Sequence, residues 1–400
     1  RTQLEKDLGA SVQAADGILQ DIATLNGAIV NTELGLGEEA SLRDQRDRLL
    51  RELSDLIDIS VVEQPSGAID VLVDSTPVVQ GSVSRGLELD VRSETDTLEY
   101  RLQTKVDTEQ VRAMSGRIGS LLTQRTEGFD RTIEDLDTLA SNLIHQVNRL
   151  HAVGRPEVAV RDTTGWLKVT GADQTRPMND PSNAAISGLD FPPVNGSLRI
   201  VVRDASGNSA TSTIDIDLDG IDLSGVPGTG DDMSMNDLVG AIDGVANLNA
   251  EITLEGKLRI WTDAGYEVSF EEDTAGILAA FGVNSYFEGS SAKDIKVRAA
   301  LQSDPRMLAV GSTVGGNETA LAIAGLRSTR VESLSGASLM EAWQSTVERN
   351  AVKTAAAGAR LEALSSVRES LENQEASISG VNLDEESVNL ITFQQQYQAA

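Results

Sequence analysis

Apolar residues recur every seven positions along the start of the chain. Leu4, Ser11, Ile18 and Leu25 interleave with Leu8, Ala15, Ile22 and Ile29, and Ser11 is the one polar residue among them. A stripe of this kind predicts a long helix whose single apolar face needs cover from another element. Gly35-Leu36-Gly37 interrupts the pattern, and a second helix is expected from Glu38 to Leu56. From Ile59 to Val106 the period changes to two: Ile69, Val71 and Val73 alternate with Asp70 and Leu72 behind a Pro65-Ser66-Gly67 turn. That alternation predicts a small antiparallel sheet. The helical period then returns, with Phe129, Ile133, Leu136, Ala140, Leu143, Val147 and Leu150 spaced alternately by four and three, as in a heptad seam.

Between Pro156 and Arg298 the texture differs, since six of the nine prolines fall there. Long helices do not tolerate that density of helix breakers, so an inserted β-rich domain is expected over 156–298. Its strands are predicted at Leu198 to Arg203, Thr211 to Leu218, Ala250 to Leu254, Lys257 to Trp261 and Tyr266 to Phe270. Ser234 is placed to cap a short helix running through Val245. Helices resume after Arg298, with Asp304 as N-cap and Pro305 at the first helical position. Leu339, Trp343 and Val347 share one face, as do Leu361, Leu364, Val367 and Leu371, and no proline interrupts Arg306 to Ala400. The expected class is α+β: an elongated multi-domain rod in which 1–155 and 299–400 form one discontinuous helical bundle. A small β region near 59–106 belongs to that bundle, and 156–298 is inserted into it.

Composition narrows the function. The 62 acidic against 33 basic residues give a net charge of −29, a field that repels a polyphosphate backbone and argues against a nucleic-acid partner. The same charge opposes indiscriminate self-association, so assembly would need matched apolar surfaces. Cysteine is absent, which removes disulfides, thiolate metal sites and cysteine nucleophiles together. Aromatic residues make up only 3%, leaving the cores to Leu, Ile, Val and Ala. No apolar run is long enough to insert in a membrane.

Candidate chemistry is thin. Asp215-Ile216-Asp217-Leu218-Asp219-Gly220 imitates the opening of a calcium loop, but the twelfth position, where a bidentate Glu is required, is Val226. A strand with Ile214, Ile216 and Leu218 buried and the aspartates in water is the stronger reading. Asp231-Asp232 and Glu271-Glu272-Asp273 lie among like charges without an evident basic partner and read as solvated loops. His145 and His151, the only histidines, fall on different sides of a helix and form neither a zinc pair nor a nucleophile-base couple. Gly228-Thr229-Gly230 lacks the third glycine and the lysine of a phosphate cradle. No catalytic, cofactor-binding or metal-binding residue is assigned, no cofactor is expected, and an enzyme is the weakest reading.

More specific are three stretches in order along the chain. They are Leu42-Arg43-Asp44-Gln45-Arg46-Asp47, Val147-Asn148-Arg149-Leu150-His151-Ala152-Val153-Gly154, and Ser379-Gly380-Val381-Asn382-Leu383-Asp384-Glu385-Glu386 followed by Leu390 and Gln394-Gln395-Gln396-Tyr397-Gln398-Ala399. All three resemble signatures of the flagellar hook-associated protein 1 family, and the last resembles a C-terminal pattern shared by flagellar rod, hook and hook-associated proteins. The segment from Asn236 to Phe270 is also similar to inserted modules of flagellins and their relatives. The family's N-terminal Asn-Ile-Ala-Asn motif and final heptad helix have no counterpart, so the resemblance implies a piece without its terminal assembly helices.

What the resemblance implies is a structural building block at the junction of hook and filament, required for filament assembly and secreted through the flagellar export apparatus. It would contact the hook protein and the next junction protein, self-associate in a ring when its termini are present, and meet an export chaperone at its C-terminal region. On the residues themselves, Asp44, Arg46, Asp47 and Arg48 offer alternating charges for salt bridges or a solvated face. Gly380 and Asp384 would cap consecutive helices. Another flagellar axial protein is the near alternative; a competing class is an extracellular glycan-binding module on a helical stalk, with Trp166, Trp261 and Tyr266 as stacking rings, although buried core rings are the more common use of such residues.

Overall fold

A computed structural model describes residues 2–33, 39–94, 97–313, 315–379 and 383–399. The Gly35-Leu36-Gly37 break and Gly380 lie outside the described residues, as does the side chain of Asp384. The architecture is α+β, with long helices and several small sheets. Packing separates two compact units, Arg1–Thr138 with Ser291–Lys293, and Leu139–Ser290 with Asp294–Ala400.

The first unit opens with α1 (Thr2–Glu33) and α2 (Ala40–Leu56). A four-stranded antiparallel meander follows, made of β1 (Ser60–Glu63), β2 (Ile69–Val73), β3 (Thr76–Gln80) and β4 (Val83–Ser84), and then a hairpin of β5 (Leu87–Glu94) and β6 (Thr97–Thr104). Next come α3 (Gly116–Thr123), a π-helical stretch over Gln124–Asp130, and α4 (Arg131–Ala152), which continues into the second unit. Leu8, Val12, Ala15, Leu19 and Ile22 of α1 share one core with Leu53, Ile57, Ile69, Val71 and Val73, so the predicted stripe and the predicted alternation cover each other. Burial follows a 3.6-residue period and not a strict heptad: Leu19 and Ala23 are inside, while Ile18 and Leu25 are only half-buried. Three polar residues sit on the buried face. Ser11 donates to its own helix at the Asp7 carbonyl, Asp16 accepts from the Leu87 amide at 3.0 Å and from Lys105 at 2.6 Å, and Asn26 donates to the Ile69 carbonyl at 2.8 Å.

The second unit is built on two three-stranded sheets. β7 (Asp162–Thr164), a short α5 (Ala184–Ser187), β8 (Gly196–Asp204), β9 (Ser209–Ile216) and α6 (Met235–Asp243) are followed by β10 (Leu248–Ile252), β11 (Leu258–Thr262), β12 (Tyr266–Asp273) and α7 (Ile277–Phe281). The sheets run in the orders β12-β8-β9 and β10-β11-β7, with all pairings antiparallel. Ser234 caps α6 through a reciprocal box with Asp237, whose amide donates to the Ser234 hydroxyl while its carboxylate accepts from the Ser234 amide. Leu198, Ile200, Ile214, Leu238, Ile260, Val268 and Phe281 meet in the core. β13 (Phe287–Glu288) pairs with β14 (Lys296–Val297), and α8 (Ala299–Ser303), α9 (Glu318–Gly325), α10 (Leu339–Ser379) and α11 (Leu383–Ala399) complete the chain. Asp304 accepts from the Arg306 amide as expected, but it starts a single 3-10 turn.

Two expectations change on packing. The compact units do not break at Pro156, because the last turns of α4 belong to the β-rich core, where Ala152 is fully buried beside Leu198 and Val160. The heptad seam of α4 is also only partly its buried face. Phe129 and Ile133 are 37% and 38% exposed, and Leu136, Leu143 and Leu150 are half-buried. Ala140 and Val147 of the seam lie inside together with Ser141, Ile144, Asn148 and His151, a face set by where the β-rich core touches the helix.

Candidate assembly surface

Arg46 is the centre of the first motif and is 3% exposed, unlike its neighbours Asp44, Asp47 and Arg48, which face water. Its Nη1 donates to the Gly67 carbonyl at 2.7 Å and to Asn26 Oδ1 at 3.2 Å. Asn26, fully buried, donates onward to the carbonyls of Ile69 and Gly81 and accepts from the Ile69 amide. One arginine and one asparagine thus tie α1 and α2 to the turn before β2 and the turn after β3. Burial pulls the Arg46 guanidinium below its ordinary pKa, a cost offset by these bonds and by the nearby carboxylates. Arg43 closes the outside of the same turn on Glu33 and Glu63, and its hydrogen bond, with one from the Glu39 amide, holds the Glu33 carboxyl at about 2. Gly67 has φ +80°, and a Cβ there would meet Glu33 Oε2 at 2.6 Å.

The second motif is a polar knot at the end of α4. Asn148 Oδ1 accepts from the amides of Tyr286 and Phe287 at 3.0 and 2.8 Å, and its Nδ2 donates to the Phe287 carbonyl. His151 Nδ1 donates to the Asn284 carbonyl at 2.8 Å, and its Nε2 accepts from the Ala309 amide at 3.1 Å, which fixes a neutral ring in one tautomer. Burial lowers the His151 pKa accordingly. Asn284 returns a bond to the Ala152 carbonyl. Gly154 is needed for room, because a Cβ would stand 2.9 Å from both Ala309 Cβ and Thr319 Oγ1. Asn148 and His151 therefore fasten the helix end to the 284–287 segment and to Ala309, and Gly154 lets Ala309 and Thr319 approach it.

The remaining candidates are dispersed. Ile214, Ile216 and Leu218 are buried and Asp215, Asp217 and Asp219 exposed, as the strand reading requires. Carboxylate oxygens of Asp217, Asp219 and Asp232 lie within 4.8 Å of one another, yet buried Asp232 is already bonded by Asn179 and the Gly220 amide, and Val226 is an exposed loop residue. Asp273 caps α7 through the Ile277 and Leu278 amides, and burial raises its pKa; Glu272 pairs with Arg199. Gly228 to Gly230 lie in the loop after β9, where the Gly228 amide donates to the Gly220 carbonyl. His145 stacks on Phe191 with ring centres 4.1 Å apart, and burial lowers its pKa to about 4. Of the three rings considered for sugars, Trp261 lies under the Arg259 guanidinium, Trp166 abuts Gly282, and Tyr266 packs on the core margin.

What the chain presents outward is helical. Every residue from Ala351 to Ser377 of α10 is exposed, including Leu361, Leu364, Val367 and Leu371 at 55–67%. In α11, Val388, Leu390, Ile391, Phe393 and Tyr397 are 53–86% exposed. A 41-residue helix reaches about 60 Å. So long an uncovered apolar face marks an interaction surface.

Comparison with known proteins bears on these features. The family model described as the flagellar hook-associated protein FlgK helical domain matches residues 1–157, and that of the flagellar basal body rod FlgEFG protein C-terminal region matches 374–400. Flagellar hook-associated protein 1 of Escherichia coli (strain K12) is 27% identical over 99% of this chain and 68% of its own length. The helical domain of the FlgK family is thus matched over residues 1–157, and the chain is similar to flagellar hook-associated protein 1 along 99% of its length. The Salmonella typhimurium protein of the same name is 25% identical over the same shares. A solved structure described as the flagellar hook junction protein FlgK from Burkholderia pseudomallei covers 92% of this chain and 85% of its own at 13% identity, but its TM-score of 0.36 is too low to build on. Within the family match, Arg43, Arg46, Asn148, His151 and Gly154 are motif residues with a defined physical task.

Proposed function

We propose that this protein is a structural component of the bacterial flagellum, a hook-associated junction protein that connects hook to filament and is required for filament assembly. The observation that carries the reading is the exposed apolar face of α10 and α11, whose last part coincides with the match to the rod-protein C-terminal family over 374–400. In the assembled axis this face is covered by helices of neighbouring subunits. The hook protein and the next junction protein are its axial partners, copies of the chain its lateral ones, and an export chaperone holds the C-terminal helices before assembly. The protein reaches its place through the flagellar export apparatus. Its role needs no catalysis, and the polar clusters described above serve the fold. Gold-labelled antibody against the insert should decorate one band at the hook-filament junction of intact flagella; label along the filament or at the cell body would contradict the assignment.

A further inference from the structure

Unit 2 carries a cleft of about 420 Å³ whose lining is unusual for a chain of net charge −29: Lys168, Lys257, Lys296 and Arg298 against Glu288 and Asp294. Two of the cations are already neutralised, since Lys257 pairs with Glu255 at 2.8 Å and Lys296 with Glu288 at 3.3 Å. Among the described residues, Lys168 and Arg298 have no carboxylate within 4.0 Å. Arg298 is half-buried and is held by a hydrogen bond from Nη2 to the Thr164 carbonyl at 2.5 Å. Burial costs this guanidinium hydration and Glu288 offsets part of that cost from a distance without pairing with it, so its planar fork is still open to a carboxylate.

We propose that this cleft docks a carboxylate-bearing surface of a second copy of the chain, so that neighbouring subunits meet through unlike patches. The proposal deepens the assembly reading and rests on it. The choice of a second copy follows from charge. A chain with 62 acidic residues packed beside its own copies must relieve repulsion between them, and a cationic cleft opposite a neighbour's acidic face does so. A contact between different patches is head-to-tail, which is the kind that closes into a ring when the rotation permits.

The test uses the full chain incorporated in flagella from a mixture of ¹⁴N- and ¹⁵N-labelled copies, treated with a carbodiimide that joins amines to carboxylates in contact. Mixed-isotope cross-linked peptides from Lys168 or Lys296 are expected. Incorporated protein in which these lysines link only within one copy, as Lys296 to Glu288, overturns the proposal. Absence of the chain from the flagella fails the assembly reading itself, and this inference with it. As a second arm, Lys168→Glu should lower incorporation by about tenfold while leaving the unfolding midpoint unchanged, because its side chain is exposed. Unchanged incorporation of that variant overturns the proposal equally.

Discussion

Asn148→Ala tests whether the second family motif is a fastening. The side chain is fully buried and satisfies two amides, of Tyr286 and Phe287, and one carbonyl, of Phe287. Each buried group left without a partner costs about 1–3 kcal/mol, and Tyr286 and Phe287 are half-buried, so water can recover part of the loss; the net expectation is about 2–4 kcal/mol. All three tryptophans, Trp166, Trp261 and Trp343, lie in the second unit, so tryptophan fluorescence reports its unfolding alone. At a urea dependence of about 2 kcal/mol/M the midpoint should fall by about 1–2 M. A shift below about 0.3 M with an unchanged slope would show that the Phe287 segment is held by other contacts and would refute the fastening.

Three further outcomes are expected. Arg46→Met should destabilise the first unit by about 1–3 kcal/mol and raise hydrogen exchange at Ile69, since it strips the Gly67 carbonyl of a charged donor while also relieving the burial of a charge; unaltered exchange at Ile69 would count against the clamp. Gly154→Ala should cost about 1–3 kcal/mol in the tryptophan-detected transition by crowding Ala309 and Thr319, and an unchanged midpoint would show that the contact yields freely. Both histidines have folded pKa values below the ordinary 6.5, so the unfolded chain binds protons first; their stabilisation is full above pH 6.5 and is lost as pH falls through the folded value, about 4 for His145. For half-buried His145 the loss at pH 5 is about 1–2 kcal/mol, and His145→Gln should flatten the pH dependence of the midpoint between 7 and 5.

Much of the architecture is legible from periodicity. Strands around Ile200, Ile214, Ile260 and Val268 follow from alternation within a proline-rich stretch, and the α6 cap follows from Ser234 alone. The α4 face does not, because a heptad pattern identifies apolar positions without saying which neighbour arrives, and here the β-rich core arrives on the Ile144 side. The motif residues were visible as a resemblance, but their tasks were not. Asn148 bonds a residue 139 positions away and His151 one 158 positions away, distances at which local patterning carries no signal. Arg46 reads as one of several alternating charges until the Gly67 turn is seen to close over it.

The central claim is that the uncovered face of α10 exists for assembly and not for the fold of the single chain. The direct measurement replaces Leu361, Leu364, Val367 and Leu371 by Gln together and records both the unfolding midpoint of the isolated protein and its incorporation at the hook tip in cells lacking the native protein. Because all four side chains are 55–67% exposed, the stability read from the midpoint should change by no more than about 0.5 kcal/mol, while incorporation and motility are lost. Incorporation at the level of the unaltered protein would contradict the account.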